Sequence, residues 1–295
     1  MSDGAIFLLG LQRGGTNQLL NALRSHPDTI WPDGEFHEIV RPARPTSLQT
    51  ATALLAYLPL ALRKGDILSP HKRPKGLSPS EARRIARTLR QATRHNMPEV
   101  RRYKTALAAH ELAPPPSDRA NRLVVKLMNY NVGLARDLQP EFPGLSCIGI
   151  MRDPFGICES MTTRGTPLDR VLDLYNFVGD TLLRLEAEGF PITLIRLEDL
   201  IADFRASIPQ VYADLGLAMD GITGVCVQSK ERIVDDSGAI LGTKKVDRFH
   251  SFETVNSHMR ADVNAKALER LTPDQIATIA RRCAPIMDRF GYQAP

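Results

Sequence analysis

The sequence predicts an α/β fold, a mainly parallel sheet with helices on both faces, and three observations carry that expectation. The chain opens on a short apolar run, Ala5 to Leu9. A glycine-rich stretch from Gly10 to Gly15 follows, then a helical pattern with Leu19, Leu20 and Leu23 on one face. Buried strand, glycine loop and helix in that order begin an α/β sheet. Three more short apolar runs, Leu123–Val125, Leu145–Ile150 and Ile192–Ile195, alternate with helical segments, as strands buried on both faces do. A chain of 295 residues with 43% hydrophobic and 24% charged residues suits one large domain and excludes a disordered or collagen-like protein.

The first helix should stop at His26-Pro27-Asp28, because proline disfavours helix at the residue before it. Residues 46–62 read as helical and apolar. Residues 80–94 read as an amphipathic helix, with Ala82, Ile85, Ala86 and Leu89 inward and Arg83, Arg87, Arg90 and Arg94 forming a basic stripe. Pro114-Pro115-Pro116 is the clearest linker. Residues 41–120 are therefore expected to be a mostly helical insertion within a single domain of residues 1–295. A long helix is expected over 168–188. After Ile195 helices should dominate, the last one starting at Thr272 with Pro273 in its first turn, Gln275 at the capping-box position and Gly291 as its stop.

The net charge of +5 is unevenly spread. Residues 63–104 hold thirteen Lys and Arg against three acids, giving +10 there and −5 elsewhere. Such a local field suits an anionic partner. Nucleic acid is not expected, since Tyr103 is the only aromatic near that segment and stacking platforms are missing. A peripheral membrane contact and the oligomeric state stay open. The longest nearly apolar run, Ala51–Leu62, has twelve residues, against about 20 for a membrane span. No secretory leader is visible. Cys147, Cys158, Cys226 and Cys283 form no C-x-x-C pair, so reduced thiols in a cytoplasmic protein are expected, and no metal. The Arg- and Ala-rich usage suggests a bacterial origin.

Gly10-Leu11-Gln12-Arg13-Gly14-Gly15-Thr16-Asn17 has the spacing of a phosphate loop, whose backbone N–H groups curl towards an anion at a helix N-terminus. The lysine of a Walker loop is missing, and a cation, Arg13, stands inside the loop instead. Arg-Gly-Gly-Thr, a helix and His26-Pro27-Asp28 together resemble the 5′-phosphosulfate loop of sulfotransferases, on the carbohydrate and bacterial side of that family. These enzymes use 3′-phosphoadenosine 5′-phosphosulfate (PAPS) and release the 3′,5′-bisphosphate (PAP). The second element of the resemblance is Met151-Arg152-Asp153-Pro154 with Ser160 eight residues after Arg152. The family places an Arg and a Ser at this spacing on the 3′-phosphate. Arg196-Leu197-Glu198-Asp199-Leu200 resembles a structural element of the family, with Glu198 and Asp199 expected to cap a helix. The C-terminal helix resembles the family's as well.

The resemblance implies a P-loop-like sheet and transfer of a sulfuryl group to a hydroxyl of a carbohydrate, glycolipid or small metabolite, without a metal. Arg13, Gly14, Gly15, Thr16 and Asn17 would hold the 5′-phosphosulfate, and Arg152 and Ser160 the 3′-phosphate. The family's Glu-x-His pattern falls on Glu35 and His37. It makes Glu35 the expected base, with Glu38 as the fallback and His37 as an orienting group. Lys126, at the end of the 123–125 strand, stands where related enzymes carry a lysine facing the acceptor. The glycine-rich, basic Gly238–Lys245 stretch is expected to be a late loop closing on the 3′-phosphate through Lys244 or Lys245. Two other readings of the residues are a P-loop kinase and a nucleotide- or glycan-binding module with this fold but no turnover.

Overall fold

The computed structural model describes residues 4–40, 55, 58, 69–116, 122–234, 240–258, 264 and 267–295. Five parallel strands form one sheet: β1 (Ala5–Gly10), β2 (Thr29–Ile30), β3 (Arg122–Met128), β4 (Ser146–Met151) and β5 (Ile192–Arg196), in the spatial order β2-β3-β1-β4-β5. β1 is central. Its residues pair with Leu123–Met128 on one side and with Ser146–Ile150 on the other. All six β1 residues are buried. Ala5, Phe7 and Leu9 enter the core on one face, and Ile6 and Leu8 the core on the other. A strand covered on both faces needs a continuous apolar run rather than alternation, which is why this strand was readable.

The helices are α1 (Thr16–Ser25), α2 (Phe36–Val40), α3 (Pro79–Ala109), α4 (Ala135–Leu138), α5 (Pro154–Thr162), α6 (Leu168–Ala187), α7 (Leu197–Ala202), α8 (Phe204–Asp214), α9 (Phe252–His258), α10 (Ala267–Arg270) and α11 (Pro273–Phe290). Thr272 and Gln275 form the expected capping box of α11, and Gly291 ends it in the left-handed region. α3 is twice as long as its stripe predicts and runs through Pro98. Its first half packs Ala82, Ile85, Ala86 and Leu89 into one core, and its second half packs Val100, Tyr103 and Leu107 into the other. Burial at both ends offsets the hydrogen bond that the proline removes. The expected helix over 46–62 lies outside the described residues apart from Leu55 and Leu58. Among the described residues no helix is long and apolar enough to cross a membrane.

Helices dominate after β5 as expected, but two strands that the sequence did not reveal stand among them. Gly224–Val234 (β6) and Ile240–Ser251 (β7) form an antiparallel hairpin. Among the described side chains its buried apolar residues lie at its base, Val225 and Cys226, so its charged outer part shows no period-two apolar signal. Ile240–Lys245 is therefore strand and not a glycine-rich loop. Lys244 and Lys245 are exposed on it, 3.8 Å from Glu231 and 3.6 Å from Asp33 respectively.

The turn after α1 has a pH-sensitive core residue. His26 is buried. Its Nδ1 accepts the Asp28 N–H at 3.0 Å, so its Nε2 donates to the Ala218 carbonyl at 2.7 Å and the ring is neutral. Burial pushes its pKa below the ordinary 6.5, aided by Lys104 and Arg122 and opposed by Ala218 and Asp28. The unfolded chain therefore binds a proton that the folded chain refuses. The stabilisation is complete above pH 6.5 and is lost as pH falls from there through the lower folded value. A urea midpoint that falls between pH 7.5 and 5.5, with the His26 ring titrating below 6.5 by NMR, is the expected result. A His26 resonance titrating at or above 6.5 would contradict it.

Candidate active site

Ligands of open α/β sheets collect at the C-terminal ends of the strands, and the loops after β1, β3 and β4 meet there. The β1 loop turns sharply. Gly14 N–H bonds to the Leu11 carbonyl at 3.1 Å. Arg13 adopts φ 67° and Gly15 φ 86°. A Cβ on Gly15 would strike Leu197, lying 3.0 Å from its Cγ, so strain and space both demand glycine. Gly15 is the N-cap of α1 and supplies no side-chain cap. The first N–H groups of a helix have no intrahelical partner, so Thr16 and Asn17 present theirs to the loop. The Thr16 hydroxyl points away, to the Met128 sulfur at 3.7 Å.

The two separated sequence elements lie against each other. Arg13 Nε donates to Ser160 Oγ at 3.1 Å, and Arg152 Nη1 donates to the Arg13 carbonyl at 3.0 Å. Arg152 is 8% exposed. Its Nε donates to Asn264 Oδ1 at 2.8 Å, and Asn264 Nδ2 donates to Glu198 Oε1 at 2.6 Å. Glu198 does not cap α7. It accepts from Asp153 N–H at 3.0 Å and from the Tyr292 hydroxyl at 3.0 Å, and so holds the whole Arg152 turn. Gly156 faces this arginine with no side chain. A Cβ there would strike Asn264 and come within 2.7 Å of Arg152 Nη2. Burial lowers the pKa of Arg152, with Glu198 opposing. Burial and the charge of Arg164 lower that of Arg13. Like charges gathered beside an uncapped helix N-terminus form a basin suited to an anion.

Lys126 closes the other side of the loop. It is 8% exposed, and its Nζ donates to Asn17 Oδ1 at 2.7 Å and to Glu35 Oε1 at 3.1 Å. Burial lowers its pKa, opposed by Glu35. His37 Nδ1 lies 3.8 Å from Glu35 Oε2. Glu38 is turned back, its carboxylate accepting the Glu35 N–H at 2.7 Å. Of the two acids, only Glu35 reaches Lys126. Lys244 stands on the hairpin, 3.8 Å from Glu231.

Two residues of this neighbourhood, and the role of a third, were missed in the sequence. Asn129, at φ 57° and 1% exposed, accepts the Gln12 N–H of the loop through Oδ1 at 3.0 Å. Its place directly after a buried strand was the available signal. Asn264, which positions Arg152, had no signal of that kind, and Glu198, expected as a helix cap, instead supports Arg152 through Asn264 and the Asp153 N–H. A cavity of about 330 Å³ beside the edge strand β5, lined by Leu194, Arg196, Gln210 and Arg289, contains none of the residues above.

A family model described as "Sulfotransferase family" matches residues 5–221. Among solved structures, the chain is similar to the sulfotransferase domain of the olefin synthase of Synechococcus PCC 7002. The TM-score is 0.54 and the identity 18%, over 99% of this chain and 96% of that one. It is also similar to the sulfotransferase domain from the curacin biosynthetic pathway, with a TM-score of 0.50 and 14% identity over 99% of both chains. At these identities the likeness speaks to the fold. No curated protein matches the chain by sequence.

Proposed function

From the premise that the chain belongs to the sulfotransferase family, we propose that it transfers the sulfuryl group of PAPS to a hydroxyl of a carbohydrate, glycolipid or small metabolite. One observation carries the reading: Arg13 and Arg152, 139 positions apart, share a hydrogen bond, with Ser160 on Arg13. Together they make one basin with two anion-binding ends. Bound in it, the donor supplies the activated sulfuryl group and a bisphosphate leaving group. The residues fit such a donor. The Thr16 and Asn17 N–H groups and Arg13 receive the 5′ end, and Arg152 and Ser160 the 3′-phosphate, a guanidinium matching phosphate bidentately.

Glu35 accepts the acceptor's proton as general base. The Lys126 ammonium, 3.1 Å from Glu35 Oε1, is positioned to stabilise negative charge as it develops on the sulfuryl oxygens. His37 orients the acceptor beside Glu35. The test is incubation with PAPS and an extract of small metabolites and glycans, read by mass spectrometry. A product heavier by one sulfuryl group, with stoichiometric PAP, is expected. Phosphoryl transfer from ATP and magnesium in its place, or PAP that fails to bind, would overturn the reading.

A further inference from the structure

Resting on that reading, we propose that Arg24 binds an anionic group of the acceptor, which makes the acceptor a hydroxylated acid, carboxylate or phosphate, in place of a neutral alcohol. Arg24 lies seven residues after Asn17 on α1. The two share a helix face and are separated by about 10 Å along the axis. Asn17 holds Lys126, so this face forms one wall of the Glu35–Lys126 site. The Arg24 guanidinium lies 5.4 Å from the centre of the Trp31 ring, four residues before Glu35. Its charge reaches Lys126 and helps to lower the lysine's pKa.

Among the described residues this guanidinium has no acidic side chain in contact with it. Its Nε is buried without a hydrogen-bond partner. The acids that act on it through space are Asp33 and Asp247, and both are engaged elsewhere. Asp33 lies 3.6 Å from Lys245, and Asp247 lies 3.8 Å from Arg102 and accepts from Gln228 at 2.9 Å. Among the described residues Arg24 makes no ion pair. It does not serve the end of its own helix either. The carbonyl of Asn21 is taken by Ser25 Oγ, that of Ala22 by the Tyr212 hydroxyl and that of Leu23 by Thr29 Oγ1 and His26 N–H. Lys104, near the same Trp31 ring, donates to the His26 carbonyl and Thr29 Oγ1, so it is satisfied where Arg24 is not. A half-buried, unpaired cation is costly, and a ligand anion removes that cost. With its hydroxyl at Glu35, the acceptor carries its anionic group towards the Arg24 end of the same α1 face.

Trp31 is the single tryptophan, so its fluorescence reports on Arg24 without turnover. With PAP saturating, the full-length protein is titrated with 3-hydroxybutyrate and its methyl ester, and with glycerol 3-phosphate and glycerol. At least one anion should change the emission saturably, at about tenfold or greater advantage over its neutral partner. Arg24→Gln should abolish that advantage, Arg24→Lys should keep part of it, and both should bind PAP as the parent does. The arm that responds identifies carboxylate or phosphate. Equal binding of acids and neutral partners, no response to any probe, or an undiminished advantage in Arg24→Gln would overturn the proposal. Failure of the parent to bind PAP would instead remove the donor assignment.

Discussion

Glu35→Gln is expected to lower kcat for sulfuryl transfer by about a hundred- to ten-thousand-fold, the range for a general base, while PAP affinity changes little. The substitution keeps the size of the side chain and an acceptor for Lys126, which now donates at 3.1 Å to a carboxylate. What it removes is the ability to take a proton. The neighbouring acid should not compensate, because Glu38 is tied to the Glu35 N–H at 2.7 Å. Glu38→Gln should therefore have much the smaller effect. Single-turnover measurement at saturating PAPS separates chemistry from binding. A kcat within a few-fold of the parent would end the assignment of Glu35.

Arg152→Ala is expected to weaken PAP binding by about 1.5–3 kcal/mol, the scale of a hydrogen bond to a charged group. That corresponds to a loss of roughly ten- to over a hundredfold. Arg152→Lys should rescue it poorly, since an ammonium cannot form the planar fork and also reach Asn264 and the Arg13 carbonyl as the guanidinium does. The titration belongs below the unfolding temperature, because removing a buried cation leaves Glu198 with Asp153, Asn264 and Tyr292 alone. Affinity unchanged in a folded Arg152→Ala protein would show that the two loops do not hold one nucleotide.

The parts of the fold that were legible in the sequence have a strong physical signature. β1, β3 and β4 are continuous apolar runs because both of their faces are covered. The α1 loop is legible because Gly15 meets steric demands that only glycine satisfies. The spacing of Arg152 and Ser160 is legible because one strand and one helix fix it. The unread parts have weak or shared signatures. β2 contributes two residues to the sheet, too few for any periodicity. The hairpin carries its charges on an exposed ribbon. Arg24 looks like an ordinary basic residue in a last helical turn, and only the partners of the α1 carbonyls distinguish it. Asn264 reaches Arg152 from a position 112 residues away, a relation that no local pattern encodes.

α3 has a mechanical consequence. A single rod of 31 residues contributes side chains to both layers that sandwich the sheet, so peeling it from either layer loosens the other. The two halves of the interior are therefore expected to unfold in one thermal transition, and the Asn96 Nδ2 bond to the Trp31 carbonyl at 2.9 Å, midway along the rod, ties it to the segment carrying Glu35.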